Sequence, residues 1–137
     1  MYQNLRDLLE HAVQTNGNGI FVKSKKNGEI IDYTYSRFYS DVRNTANAIL
    51  CLDDIRVGLI SENCYEWLVA YLSVVNSGLT LVPIDVNISE KSLRNVINMS
   101  DINTLIISEK CYLRLKSEGY SFDELKNVYL INVIEDV

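Results

Sequence analysis

The chain has 137 residues, of which 47% are hydrophobic and 23% charged, with one Pro and six Gly. That is the composition of an ordinary globular domain, and it excludes collagen, coiled coil, low-complexity linker and intrinsic disorder. A net charge of −5 argues against a nucleic-acid surface, and no apolar run reaches the roughly 18 residues of a transmembrane helix.

The N-terminal MYQNLRDLLEHAVQ lacks the basic flank and apolar core of a signal peptide. It reads instead as an amphipathic helix, because Leu5, Leu8, Leu9, Ala12 and Val13 recur on one face. Asn4 is its natural N-cap and Gly17 its stop. A hairpin follows: Ile20 to Ser24 and Glu29 to Thr34 flank Lys25-Lys26-Asn27-Gly28, and Asn-Gly accepts the positive φ of a tight turn. Thr34 caps a second helix whose buried stripe is Phe38, Val42, Ala46, Ile49 and Leu50, with Arg37 and Asp41 among the polar residues off it. Asp53-Asp54 makes a turn into a buried strand, Ile55 to Ser61.

A third helix opens on a capping box of Asn63 and Glu66. From Trp67 to Val75 it is apolar on nearly every side, so it is either enclosed or covered by another part of a larger protein. Gly78 ends it, and Leu79 to Ile84 is a strand whose Pro83 places it at an edge or a bend. Ser89 caps a fourth helix running to about Met99, with Leu93, Val96 and Ile97 inward. Then come the strand Thr104 to Ser108, a helix from Glu109 to Glu118, a short helical turn from Ser121 to Lys126, and a last strand, Val128 to Val133. This alternation predicts an α/β fold: a mainly parallel sheet flanked by helices, with an N-terminal β-hairpin.

A catalytic constellation is not apparent. Neither phosphate-cradling glycine pattern is present, and the turn after the first buried strand carries Glu62 and Glu66, which repel phosphate. One His (His11) and three scattered Cys (Cys51, Cys64, Cys111) supply no metal-ligand spacing, and an odd thiol count suits a reducing, cytoplasmic setting. Cys64 stands at a helix start, where a thiolate is favoured, but its only available base is His11. The acid pairs Asp53-Asp54, Glu62/Glu66 and Asp123-Glu124 read as turn and helix-start residues. Lys23, Lys25 and Lys26 read as a solvated hairpin tip.

Two segments go further. YTYSRF (Tyr33 to Phe38) resembles the "LTYxEL" motif of adenylate-forming enzymes, with Thr34 and Tyr35 as the matching pair. SENCYEWLVAYLSVVNSGLTLVPID (Ser61 to Asp85) resembles that family's "NxxEW…A…KAGxxxVPLD" segment through Asn63, Glu66, Trp67, Ala70, Gly78, Val82, Pro83 and Asp85. Ile88 to Ser108 resembles the family's next helix–strand unit. The departures are a trimmed loop before Val57 and Asn76-Ser77 where Lys-Ala is common.

The resemblance implies the N-terminal α/β subdomain, residues 1–137, of an AMP-forming carboxylic acid–CoA ligase. Such an enzyme forms an acyl-adenylate from ATP and then a thioester, using Mg²⁺ and coenzyme A. The family's phosphate loop and later motifs match nothing here, so no catalytic, cofactor-binding or metal residue is carried over. Thr34, Tyr35, Asn63, Glu66, Trp67, Gly78, Pro83 and Asp85 are expected to be scaffold, and the chain alone is expected to be inactive. Its expected partners are the remainder of the enzyme and, through exposed apolar surface, further copies of itself. The alternatives are a ligase that loads amino acids or carrier proteins, and a non-catalytic α/β interaction module.

Overall fold

The computed structural model describes residues 1–52, 54 and 56–131. Helix α1 (Leu5–Asn16) precedes the hairpin strands β1 (Ile20–Lys26) and β2 (Glu29–Thr34), and α2 (Tyr35–Leu50) follows. Next come β3 (Arg56–Ile60), α3 (Tyr65–Asn76), β4 (Thr80–Pro83), α4 (Glu90–Ser100), β5 (Thr104–Ser108), α5 (Glu109–Ser117), a 3₁₀ turn (Phe122–Glu124) and β6 (Asn127–Ile131). Strands β3 to β6 form one parallel sheet in the order β4-β3-β5-β6. β1 and β2 pair antiparallel, closed by Asn27 and Gly28 at φ 52° and 79°. The expected fold class is therefore the observed one.

The two central strands carry the core. All five β5 residues are buried, as are four of the five in β3. Successive side chains point to opposite faces. Leu105 and Ile107 join Leu93, Ile97, Cys111 and Leu115 from α4 and α5. Ile106 joins Val57, Leu59, Ala70 and Val74 on the α2/α3 face. The hairpin and α1 pack outside α2 and α3 around Phe38, Tyr65 and Val69. Gly58 sits where a Cβ would lie 2.9 Å from Leu105 Cδ1, so its lack of a side chain lets β5 and its layer close in.

The third helix is covered only in part: no residue of α3 is exposed, but five of its twelve are buried and the others, Trp67 and Tyr71 among them, are half-buried. Ser73 anchors it by donating its hydroxyl to the Val42 carbonyl of α2 at 3.1 Å. At its end, Gly78 takes φ 75° and passes its N–H to Val75, while Leu79 returns to Val74, the paired closure that a left-handed residue permits. β4 is an edge strand ending at Pro83, as the proline required.

Several expectations are corrected. Leu5 and Leu8 are each 42% exposed and Leu50 is 56% exposed, so the buried face of α1 is narrower than its apolar stripe, with Leu9 and Val13 in the core cluster. Asp54 is not a solvated turn acid: it is buried and accepts the Thr104 hydroxyl. Asp53, Ile55 and residues 132–137, which include the ends of two expected strands, lie outside the described residues.

Phe38 is fully buried where the hairpin meets α2, stacked on Phe21 at 4.5 Å between centroids. Phe38→Ala is expected to destabilise the fold by about 3–5 kcal/mol, read from the midpoint of urea unfolding.

Candidate functional site

A cavity of about 570 Å³ lies between the hairpin, α2, α3 and the sheet. That volume is in the range of small-molecule sites. Its floor is apolar: Ile49, Val69, Ala70 and Ile106, with Tyr129 from β6. Its polar groups come from three elements and are tied together. Tyr33 of β2 stacks on Tyr65 of α3 with centroids 3.5 Å apart and planes within 10°. The Tyr65 hydroxyl donates to Asp41 Oδ2 at 2.7 Å, and Arg37 Nε donates to the same oxygen at 2.9 Å. Lys26 Nζ donates to Glu66 and lies 5.9 Å from the centre of the Tyr33 ring.

These contacts set the protonation states. Burial, and then the hydrogen bond to Asp41, push the Tyr65 phenol far above its ordinary value. Burial opposes the Lys26 charge, but the hydrogen bond and attraction from Glu66 outweigh it, so the ammonium is held above the ordinary lysine range. Asp41 likewise raises Arg37. Tyr65 stays neutral and Lys26 stays charged at physiological pH, so neither is poised to trade a proton. Both cations in the cleft are already paired with acids. The lining therefore does not fit a triphosphate, and no group of His, Cys, Asp or Glu among the described residues could hold a metal ion. The arrangement ties the hairpin, α2 and α3 together.

The motif residues occupy structural stations. Thr34 is the N-cap of α2, its hydroxyl accepting the Arg37 N–H at 3.1 Å. Tyr35 donates its N–H to Gly19 and tilts against Phe21 at 5.0 Å. Trp67 packs on the core beside Tyr71, with centroids 5.1 Å apart. Asp85 is exposed, and its Oδ1 accepts the Asn87 N–H at 2.7 Å in the turn leaving β4.

Asn63 is the exception. The N-cap of α3 is Cys64, whose Sγ accepts from Trp67 N at 3.4 Å, so Asn63 stands one residue too early and is exposed. Glu66 accordingly does not reach back along the helix but pairs with Lys26 across the cleft. Lys26 is thus no member of a solvated tip. The structure brings Glu66 into the cleft and leaves Trp67, Gly78, Pro83 and Asp85 outside its lining. Lys26, Tyr33, Arg37, Asp41 and Tyr65 were not picked out by their sequence. The legible signals were the inward register of Tyr33 in β2 and the i,i+4 spacing of Arg37 and Asp41.

Comparison with known proteins gives one consistent result. A family model described as AMP-binding enzyme matches residues 9–135. Among curated proteins, 4-hydroxybutyrate–CoA ligase 2 of Metallosphaera sedula is 34% identical over 80 residues, 56% of this chain and 15% of its own. Long chain acyl-CoA synthetase 8 of Arabidopsis thaliana is 24% identical over 129 residues, 92% of this chain and 18% of its own. The chain thus spans less than a fifth of either relative's length. The crystal structure of the anthranilate CoA ligase AuaEII in complex with anthranoyl-AMP superposes with a TM-score of 0.79 at 18% identity, covering 95% of this chain and 25% of that one, a likeness of fold.

The thiols show how burial overrides the helix start. Burial, the largest influence, raises the Cys64 thiol despite its place at the N-terminus of α3, and it raises Cys111 as well. Cys51 is exposed, Cys64 half-buried and Cys111 buried. Near pH 8, just below the ordinary thiol pKa of about 8.5, iodoacetamide is expected to modify Cys51 first, Cys64 more slowly and Cys111 last. Peptide mass spectrometry reads the order, and a Cys64 faster than Cys51 contradicts the neutral, shielded thiol.

Proposed function

The chain belongs to the AMP-binding enzyme family, and from that premise we propose that it is the N-terminal α/β subdomain of an ATP-dependent carboxylic acid–CoA ligase. The observation that carries this reading is the family match over residues 9–135, within which Thr34, Glu66, Gly78 and Pro83 hold the turns and contacts that shape the subdomain. The similarity to a 4-hydroxybutyrate–CoA ligase and a long chain acyl-CoA synthetase favours coenzyme A over a carrier protein as acceptor.

In this reading the subdomain is a wall of the enzyme. ATP, Mg²⁺, coenzyme A and the acid are held by other parts, because the cations of the cleft are committed to Glu66 and Asp41. The partners of the chain are those parts of the ligase, and the reaction takes place in the cytoplasm, consistent with three unpaired cysteines. No helix among the described residues is long and apolar enough to cross a membrane.

The 137-residue chain is accordingly expected to show no heat of binding with ATP–Mg²⁺ and no release of pyrophosphate with fatty or aryl acids. Isothermal titration and a pyrophosphate assay test this together. Micromolar ATP binding would place a nucleotide site within these residues and overturn the reading.

A further inference from the structure

A second cavity, about 350 Å³, lies among α1, α2 and the C-terminal end of α3. No strand contributes to its lining, so its shape does not depend on the edges of the sheet. The arginines single it out. Arg37, Arg56, Arg94 and Arg114 each pair with a carboxylate. Arg6 and Arg43, the other arginines of the chain, have no carboxylate partner among the described residues, and both line this cavity. Arg6 donates to the Asn76 carbonyl, and the Arg43 guanidinium lies 5.7 Å from the centre of the Tyr39 ring. Glu10 lines the same space and pairs with neither arginine; its carboxylate accepts the Tyr39 hydroxyl at 3.5 Å. Asn76 Oδ1 is buried without a hydrogen-bond partner, and a buried acceptor left unmade costs stability unless something donates to it. Asn76 and Ser77, where the resembling segment commonly has Lys-Ala, both belong to this lining.

We infer that this groove binds a small zwitterion, an α-amino acid with an aliphatic side chain. It holds two cations and an acid that do not neutralise one another, so the ligand that suits it carries both charges on separate groups. The carboxylate is held by Arg43 and Arg6, since a guanidinium offers its N–H groups to a carboxylate in pairs. The ammonium is held by the Glu10 carboxylate and gives Asn76 Oδ1 the donor it lacks. Helix α3 ends here, and the partial negative charge of its C-terminus favours a cation. A lysine in place of Asn76 would set a third cation where the ammonium belongs. Val42, Ala46 and Leu50 give the aliphatic side chain an apolar surface. A phosphate suits the groove less, because Glu10 and the helix end both repel it. The volume stands at the lower end of small-molecule sites, as a ligand of this size requires. The inference does not rest on the ligase reading, because none of the motif residues shared with the family lines the groove.

Titration of the 137-residue protein with L-leucine, followed by amide NMR, is expected to give saturable shifts confined to α1, α2 and the end of α3, with a Kd below about 1 mM. Leucinamide lacks the carboxylate and N-acetyl-leucine the ammonium, and each is expected to bind at least about tenfold more weakly. Arg43→Gln, at an exposed position, is expected to weaken L-leucine about tenfold while circular dichroism stays that of the parent. Arg56→Gln, outside the groove, is expected to leave binding unchanged. Glu10→Gln is expected to narrow the gap between L-leucine and N-acetyl-leucine, which a mere loosening of α1 would not do. Absence of saturable binding at about 10 mM overturns the inference. So do equal affinities for the three ligands, full binding by Arg43→Gln, or an Arg56→Gln protein as impaired as Arg43→Gln, because the ligand is then not read by this groove.

Discussion

The parallel pairing of β3 with β5 is the contact on which the remaining elements are laid. Val57 to Ile60 face Thr104 to Ile107 across that ladder, and nearly every side chain along both strands is buried. Strands covered on both faces need a helical layer on each side. The layers here are α2/α3 and α4/α5, and each receives alternate residues of the same two strands. Gly58 allows the close approach, and the buried Asp54–Thr104 hydrogen bond fastens the start of one strand to the other.

On that base, the hairpin is attached by polar contacts as much as by apolar ones. Lys26 reaches Glu66, Tyr33 stacks on Tyr65, and Tyr65 with Arg37 converges on Asp41. Charges pair within this group, Lys26 with Glu66 and Arg37 with Asp41, while Glu66 Oε2 is buried without a hydrogen-bond partner. A half-buried charge pair of this kind specifies how elements are oriented more than it stabilises them. The same pairing of Lys26 with Glu66 and of Arg37 with Asp41 makes the cleft a poor phosphate site.

Membership of the AMP-binding family is consistent with this division of labour. Among the residues shared with the family's motifs, Thr34 caps α2, Gly78 reverses the chain after α3 and Asp85 closes the turn after β4. Glu66 and Ala70 among them line the cleft, and there Glu66 pairs with a cation of the hairpin.

The fold was legible because its determinants are local. Apolar spacing marked the helices, Asn27-Gly28 the hairpin, Thr34, Ser89 and Gly78 the helix ends, and Pro83 the edge strand. Alternation of strand and helix then implied a parallel sheet. Helix caps proved less certain: Asn63 and Cys64 are adjacent, and which one caps α3 depends on the backbone angle at Cys64, which packing sets. The exposure of Leu5, Leu8 and Leu50 was hidden for a similar reason, since spacing shows which residues share a face but not whether another element reaches it. Taken singly, Lys26 read as part of a solvated hairpin tip, Arg37 and Asp41 as polar residues off the buried stripe, and Glu66 as a helix-capping residue. Only the tertiary fold brings residues from β1, α2 and α3 together, and electrostatic partners far apart in sequence leave no periodic trace within any one element.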